Sequence, residues 1–396
     1  MPNQFFSPEG DLENYFVTEY WLIDQYVGDE LWVWGTGSAG RLGNGVTTGR
    51  ISTPVTTFAG GTNWKQVEAD FHVVAIKTDG TLWTWGQPGN GRLGNGATTG
   101  SISTPVTTFA GGTNWKQVSS GISNTAAIKT DGTLWVWGSG IFGVLGNAQQ
   151  SDRSTPITTF AGGTNWKQVS VGTFYTAAIK TDGTLWTWGY GGSGRLGNAS
   201  TVSVSTPVTT FAGGTNWKQV RAGSNHTAAI KTDGTLWTWG NGGNGRLGNA
   251  STVSVSTPVT TFAGGTNWKQ VGTFSGTMVS IKTDGTLWTW GYGLNGRLGN
   301  AVISGDTSTP ITTFAGGTNW KQVSAGTNHT VAIKTDGTLW TWGAGGADGA
   351  LGNAQVTNRL TPVTTFAGGN NWKQVSAGDS CTVAVFSGTT PDLPIS

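Results

Sequence analysis

Charge is scarce in this chain and cysteine nearly missing: 11% of residues are Asp, Glu, Lys or Arg, and Cys381 is the single cysteine. One cysteine excludes an intrachain disulfide framework and a cysteine zinc cluster. No run of 18 apolar residues occurs, so no membrane-spanning helix is expected. The first 30 residues contain no Lys or Arg, which leaves out the basic start of a secretory signal. The same stretch holds seven acids, from Glu9 to Glu30; the whole chain is +2, so the remainder carries +9 by subtraction. That positive charge is spread singly at regular intervals, not as the basic stripe that nucleic-acid binding wants. Neither His-Glu-x-x-His nor a P-loop lysine occurs. No nucleophile, base and orienting group can be assembled from motifs, so the expectations are no enzyme, no metal and no cofactor.

What is abundant is Gly, with 66 residues, and Trp, with 22. Both recur periodically. Asn-Trp-Lys places its Trp at 64, 115, 166, 217, 268, 320 and 372, a spacing of 51 or 52 residues. Leu-Gly-Asn also occurs seven times, from Leu42 to Leu351. Each unit holds four short runs rich in Val, Ile, Thr and Trp, of the types WKQV, TVAIKT, TLWTW and TPVTT, with Gly clusters between them. Asp-Gly between the second and third runs predicts a two-residue type I′ hairpin, with both residues at positive φ. Four strands per unit of about 50 residues, seven times over, predict an all-β, seven-bladed β-propeller with four antiparallel strands per blade. Its paired Trp side chains serve blade-to-blade packing.

Leu-Trp-x-Trp-Gly occurs seven times, but Ile-Lys-Thr-Asp-Gly only six. The first LWVWG, Leu31–Gly35, has no second strand before it, and the last unit stops after CTVAVF, Cys381–Phe386. The fragments complete each other. The ring is therefore expected to close by N- and C-terminal strands sharing one blade, which removes an open sheet edge. The domain expectation is a docking extension over 1–30, the propeller over 31–388 and a tail over 389–396.

The stretch VSAGTNHTVAIKTDGTLWTWG, Val323–Gly343, resembles the regulator-of-chromosome-condensation repeat family. Val323, Gly326, His329 and Ile333 match the family pattern, as do Val220, Gly223, His226 and Ile230. The resemblance covers residues 31–388 and implies a seven-bladed propeller closed by strands from both termini. It does not fix a function, since members include an exchange factor for a small GTPase, protein inhibitors of enzymes and a light receptor. The N-terminal extension is similar to the leader of repeat proteins in phages of marine bacteria. That similarity implies a virion component, with the bacterial cytoplasm as the alternative location.

His72, His226 and His329 lie one per unit, and sister units hold Asn124, Tyr175, Thr277 and Cys381 at that place. Such exchange suits loop-fixing groups rather than converging metal ligands. Gly-x-Gly-x-x-Gly matches, those at Gly35, Gly189, Gly240 and Gly291 among them, follow strands but open no helix, so they are loop glycines.

The copies differ mainly in two connections, after the first and after the third strand. In an antiparallel blade both lie on one face of the disc, while the fixed Asp-Gly and TTFAGGTNW turns lie on the other. Variation on one face predicts a partner-binding surface. Its expected anchors are Ile141, Phe142, Arg153, Phe174, Tyr175, Tyr190, Tyr292, Leu294 and Arg359, the types favoured at hot spots. A second expected contact is the extension, through Phe5, Phe6, Tyr15, Phe16, Tyr20, Trp21 and Tyr26. The partners expected are proteins, from virion or other assembly subunits to a host surface, with a homo-oligomer or symmetric array also open. Neither nucleic-acid binding nor membrane insertion is expected. The rival function is a regulatory propeller acting on an enzyme.

Overall fold

The computed structural model describes residues 28–58, 61–345 and 348–388. The docking residues expected between Phe5 and Tyr26 lie outside them. Seven four-stranded antiparallel sheets form the blades of a ring. Blade 1 takes residues 64–107, and blades 2 to 6 follow through residue 364. Blade 7 combines Trp372–Ala377 and Cys381–Ser387 with Asp29–Thr36 and Arg50–Thr56. The expected seam is found there: Leu31 pairs with Val385, Trp32 with Ala384 and Trp34 with Thr382. First strands line the axial channel, and fourth strands form the rim.

Three indoles per blade explain most of the Trp content. Trp64 lies edge-on to Trp83 and Trp85, with ring centroids 6.2 and 6.3 Å away. This face packs on Leu31, Val33 and Val385 of blade 7. The opposite face of blade 1, through Val74, Ile76 and Leu82, receives Trp115 and Trp137 of blade 2. Each blade thus puts a Trp face on its neighbour's aliphatic face, and neither face is left to water. The end of the Trp sandwich is closed by a cation: Lys77 Nζ stands 4.7 and 4.6 Å from the centroids of Trp64 and Trp83.

Leu-Gly-Asn is fixed by the next blade's tryptophan. The Trp137 indole N–H donates to the Arg92 carbonyl at 2.9 Å, just before Leu93. A Cβ on Gly94, whose φ is +67°, would lie 2.7 Å from that indole nitrogen. Only glycine combines this approach with this backbone.

The inner strands are tied around the axis. Gln117 Nε2 donates to the Val169 carbonyl at 2.8 Å, and Val169 N–H donates back to Gln117 Oε1 at 2.8 Å. The pattern runs on to Gln374, which reaches the Val67 carbonyl of blade 1 at 3.5 Å and closes the circle.

The hairpin turn differs from the type I′ expectation. Gly80 has φ +80°, but Asp79 is not among the residues at positive φ. Gly80 N–H donates to the Lys77 carbonyl, and Lys77 N–H to that of Thr81. This is the wider hairpin, in which a single left-handed glycine follows the turn. Asp79 serves it with its side chain: Oδ1 accepts from Thr81 N–H at 2.9 Å and from its hydroxyl at 2.7 Å. Those bonds hold the Asp79 carboxyl below its ordinary range.

The seam reproduces this chemistry with other residues. Phe386 stands in register where Lys77 stands in blade 1, and packs on Trp372 at 4.9 Å and Trp32 at 6.4 Å. Glu30 takes the place of Thr81, accepting the Trp32 indole N–H at 3.2 Å.

Candidate protein-interaction face

The connections after first and third strands meet on one end of each blade. In blade 3, Tyr190 N–H donates to the Phe174 carbonyl at 2.8 Å; in blade 4, Asn241 N–H donates to that of Asn225 at 2.9 Å. Beneath them lies a layer of buried arginines that single-copy reasoning did not select. Arg195 Nε donates to the Gly192 carbonyl at 2.9 Å, and its Nη1 to those of Thr173 at 3.3 Å and Ser224 at 2.8 Å. One guanidinium thereby clamps the loops of blades 3 and 4. Arg297 does the same in blade 5, reaching Thr327 O at 2.7 Å and Asn328 Oδ1 at 3.1 Å. Burial lowers the pKa of both from the ordinary arginine value. Each also carries a tyrosine: the guanidinium carbons of Arg195 and Arg297 stand 4.6 Å from the centroids of Tyr190 and Tyr292.

Four expected anchors come together across blades 2 and 3. Phe142 lies 4.6 Å from Tyr190 and 5.8 Å from Phe174, centroid to centroid. Ile141, next to Phe142 in the chain, is 43% exposed. Both phenylalanines have left-handed backbones, with φ +58° at Phe142 and +64° at Phe174. Other blades put Ala39, Asn90, Ser193, Asn244 or Asn295 at the first of these positions. None of the equivalent residues in the other loops shares the Phe174 backbone. A bulky side chain at such φ is strained, by about 1–3 kcal/mol per residue. Tyr292 and Leu294 lie apart from this cluster in blade 5, where Arg297 faces the Tyr292 ring and donates to the Leu294 carbonyl at 2.9 Å. Arg153 and Arg359 begin fourth strands, each bonded to a glutamine four residues earlier, Gln149 and Gln355.

Tyr175 does not belong to this surface. It is fully buried, and its hydroxyl donates to the His226 carbonyl of blade 4 at 2.6 Å. Its place in the repeat is that of the three histidines, and they too are buried and reach the next blade rather than fixing their own loops. His72 Nε2 lies 2.6 Å from Thr125 Oγ1, which itself donates to the Arg92 carbonyl. The hydroxyl proton being committed, the imidazole is the donor at Nε2. His329 meets Thr382 at 2.8 Å in the same way. The signal that could have placed Tyr175 was its alignment with these histidines, not its aromatic character.

The channel end at this face is polar and narrow. Ser119 and Ser170 accept N–H groups of the next blade, from Val171 at 3.1 Å and Ala222 at 3.0 Å. Glu68 and Arg221 replace serine in blades 1 and 4 and form an ion pair across the axis, at 3.6 Å. Burial raises the Glu68 carboxyl, and Arg221 opposes that shift. The cavity left is about 70 Å³, well below the several hundred that a small-molecule site takes. Among the described residues no three His, Cys, Asp or Glu are grouped to hold a metal ion, and no helix is long and apolar enough to cross a membrane. The most exposed large apolar side chains lie elsewhere, in Phe58, Phe109, Phe160, Phe211, Phe262 and Phe314, which follow the outermost strands of six blades. They stand one per blade and make no contiguous patch.

Comparison with known proteins agrees with the architecture. The ultraviolet-B receptor UVR8 of Arabidopsis thaliana is 31% identical over 277 residues, covering 69% of this chain and 63% of the receptor. The E3 ubiquitin-protein ligase HERC2 of Homo sapiens is 27% identical over 323 residues, 77% of this chain but 6% of the ligase. The chain thus spans less than two thirds of either relative. Human WBSCR16 superposes with a TM-score of 0.80 at 19% identity, covering 90% of this chain and 99% of that one. Prp20p of Saccharomyces cerevisiae gives 0.79 at 18%, covering 91% and 92%. A sequence profile described as the RCC1-like domain matches residues 30–384. Repeat, blade count, shared closing blade and profile agree, and the chain belongs to the RCC1-like domain family.

Proposed function

We propose that this propeller is a non-catalytic protein-interaction module, and that the loop face over blades 2 and 3 receives its partner. One observation carries the reading: Phe142 and Phe174 are kept in left-handed backbone where they join Tyr190 and Ile141 in a half-exposed cluster. Stability alone would favour the Asn that three sister blades use at the first position, Asn90, Asn244 and Asn295. Strain retained at an aromatic surface group points to use of that group. Arg195 beneath makes the cluster rigid, which lowers the entropy cost of binding.

The test pairs Phe142→Asn with Tyr190→Ala. Phe142→Asn should leave the melting temperature unchanged or raise it, because Asn tolerates this backbone. The double variant should lose about 30-fold or more in affinity for a partner captured by the wild-type protein, as loss of a hot spot worth 2 kcal/mol would give. An unchanged set of partners and affinities would sink the reading.

The finer form of this proposal is a phage virion protein, structural or accessory, joined to its assembly through residues 1–30. It rests on the leader similarity and on that segment's aromatic content. Deleting residues 1–28 should leave a folded propeller that no longer joins the assembly. The second reading, a propeller regulating an enzyme, is favoured by one structural relative, Prp20p of Saccharomyces cerevisiae, which binds Gsp1p and histones. A one-to-one complex with a soluble enzyme would support it over the virion form.

A further inference from the structure

The turn face looks inert in sequence because its copies barely vary. In the closed ring the same uniformity concentrates charge. Every inner strand begins Trp-Lys-Gln-Val, and all seven lysines, from Lys65 to Lys373, are exposed. Trp64 pairs with Lys77 next to the hairpin turn, so these strand starts lie at the turn-face end. Successive inner strands pack side by side around the axis. The lysines therefore ring the channel mouth. An open recess of about 530 Å³ there is lined by Lys65, Lys321 and Lys373, with Gln322, Gln374 and Asp29.

Among the described residues one of the seven has a carboxylate partner, Lys373, whose Nζ lies 3.2 Å from Asp29. The six turn aspartates on this face are held by their own threonines, as Asp79 is by Thr81, and none reaches a lysine at ion-pair distance. Like charges gathered around one mouth raise a positive potential that attracts an anionic segment.

The partner of that one pair opens the acidic end of the chain. Gly28 lies against Thr62 and Asp29 bridges to Asn63, so the chain reaches the ring from the turn face. Residues 1–27 contain Glu9, Asp11, Glu13, Glu19 and Asp24 and no Lys or Arg. Asp24 is five residues from Asp29, hence within about 17 Å of it. Five negative charges are tethered to a face where six lysines have no carboxylate partner among the described residues.

We propose that the lysine ring is the seat of the chain's own acidic segment, residues 1–27, held in cis over the turn-face mouth of the channel. The Asp29–Lys373 pair is the first contact of that docking. The loop-face reading does not depend on it and stands if it fails; joining an assembly through residues 1–30 would require the segment to leave the ring.

Zero-length carbodiimide coupling of the full chain tests the proposal, on an equal mixture of unlabelled and ¹⁵N-labelled protein. Amide links should join Lys65, Lys321 or Lys373 to Glu9, Asp11, Glu13, Glu19 or Asp24, in pairs of one isotope. Their yield should fall about five-fold or more in 1 M salt, where the Debye length is about 3 Å. Absence of such links, or links only between isotopes, overturns the proposal, the latter in favour of a second copy as occupant. A second variant, E9Q/D11N/E13Q/E19Q/D24N, should expose the ring, so that its lysines acetylate several-fold faster than in the wild-type protein. Equal rates overturn the proposal. Inorganic polyphosphate binding the wild-type chain as tightly as this variant would show an open polyanion site instead, and would overturn it too.

Discussion

A chain ending at Asp379 should fail to form the ring, showing no cooperative thermal transition or one at least about 15 °C lower. The lost strand, Cys381–Ser387, is the partner of both Trp372–Ala377 and Asp29–Thr36, so its removal cuts blade 7 in two. Val383, Val385 and Phe386 are buried in it. Full burial of such side chains contributes about 1.5–3 kcal/mol each. Together they approach the whole stability of a typical domain, about 5–15 kcal/mol. The remaining strands would show open edges at the seam.

A permuted chain separates the loss of the strand from the loss of the cut. Thr-Asp-Gly can replace everything between Phe386 and Glu30, because those two residues stand where Lys77 and Thr81 flank the turn in blade 1. New termini can open between Ile303 and Ser304, in an exposed part of the variable loops. This protein should melt within a few degrees of the wild type. A truncated chain with unchanged melting, or a permuted chain that does not fold, would show that the seam is not what holds the ring closed.

The repeat made the architecture legible because seven copies report one set of contacts. Trp64, Trp83 and Trp85 could be read as packing groups since two lie two apart on a strand and all recur. What stayed hidden depends on distances between copies. Asp79 looked like a backbone turn former, yet it acts through its carboxylate on Thr81. Tyr175 looked like a loop anchor, yet its register turns it into blade 4. The Arg195 and Arg297 clamps each join two blades, which no single repeat contains. The strain at Phe142 and Phe174 is a backbone property that composition does not record. The lysine ring is the clearest case. Lysines spaced 51 or 52 residues apart look dilute along the chain and become neighbours only around an axis.

Stability should pass through a maximum near pH 6.5, because two sets of buried groups pull in opposite directions. The three histidines are kept neutral by burial, His72 and His226 well below the ordinary value and His329 down to about 4. Between pH 4 and 6.5 the unfolded chain binds protons that the folded chain refuses, so stability rises with pH. For His329 the difference amounts to about 3 kcal/mol when fully expressed.

Asp70 acts the other way. It is 1% exposed at the junction of blades 7 and 1, and neither Arg41 nor Arg92 reaches it at ion-pair distance. Burial, with Asp379 beside it, pushes the carboxyl up to about 8. The folded state holds that proton while the unfolded state has released it above pH 3.8, so stability falls from there to pH 8. Below pH 6.5 three imidazoles outweigh the two raised carboxyls, Asp70 and Glu68; above it the carboxyls act alone. The six turn aspartates, whose pKa values are lowered, add a loss only below pH 3.8. Urea midpoints at pH 4.5, 6.5 and 8.5 should therefore rise and then fall. Asp70→Asn should abolish most of the fall, a gain of up to about 5 kcal/mol at pH 8.5, with little change at pH 4.5. His329→Asn, copying Asn124 of blade 2, should flatten the acid limb. A wild-type midpoint still climbing from pH 6.5 to 8.5 would mean that Asp70 is ionised in the fold, and that Arg41 and Arg92 compensate its burial.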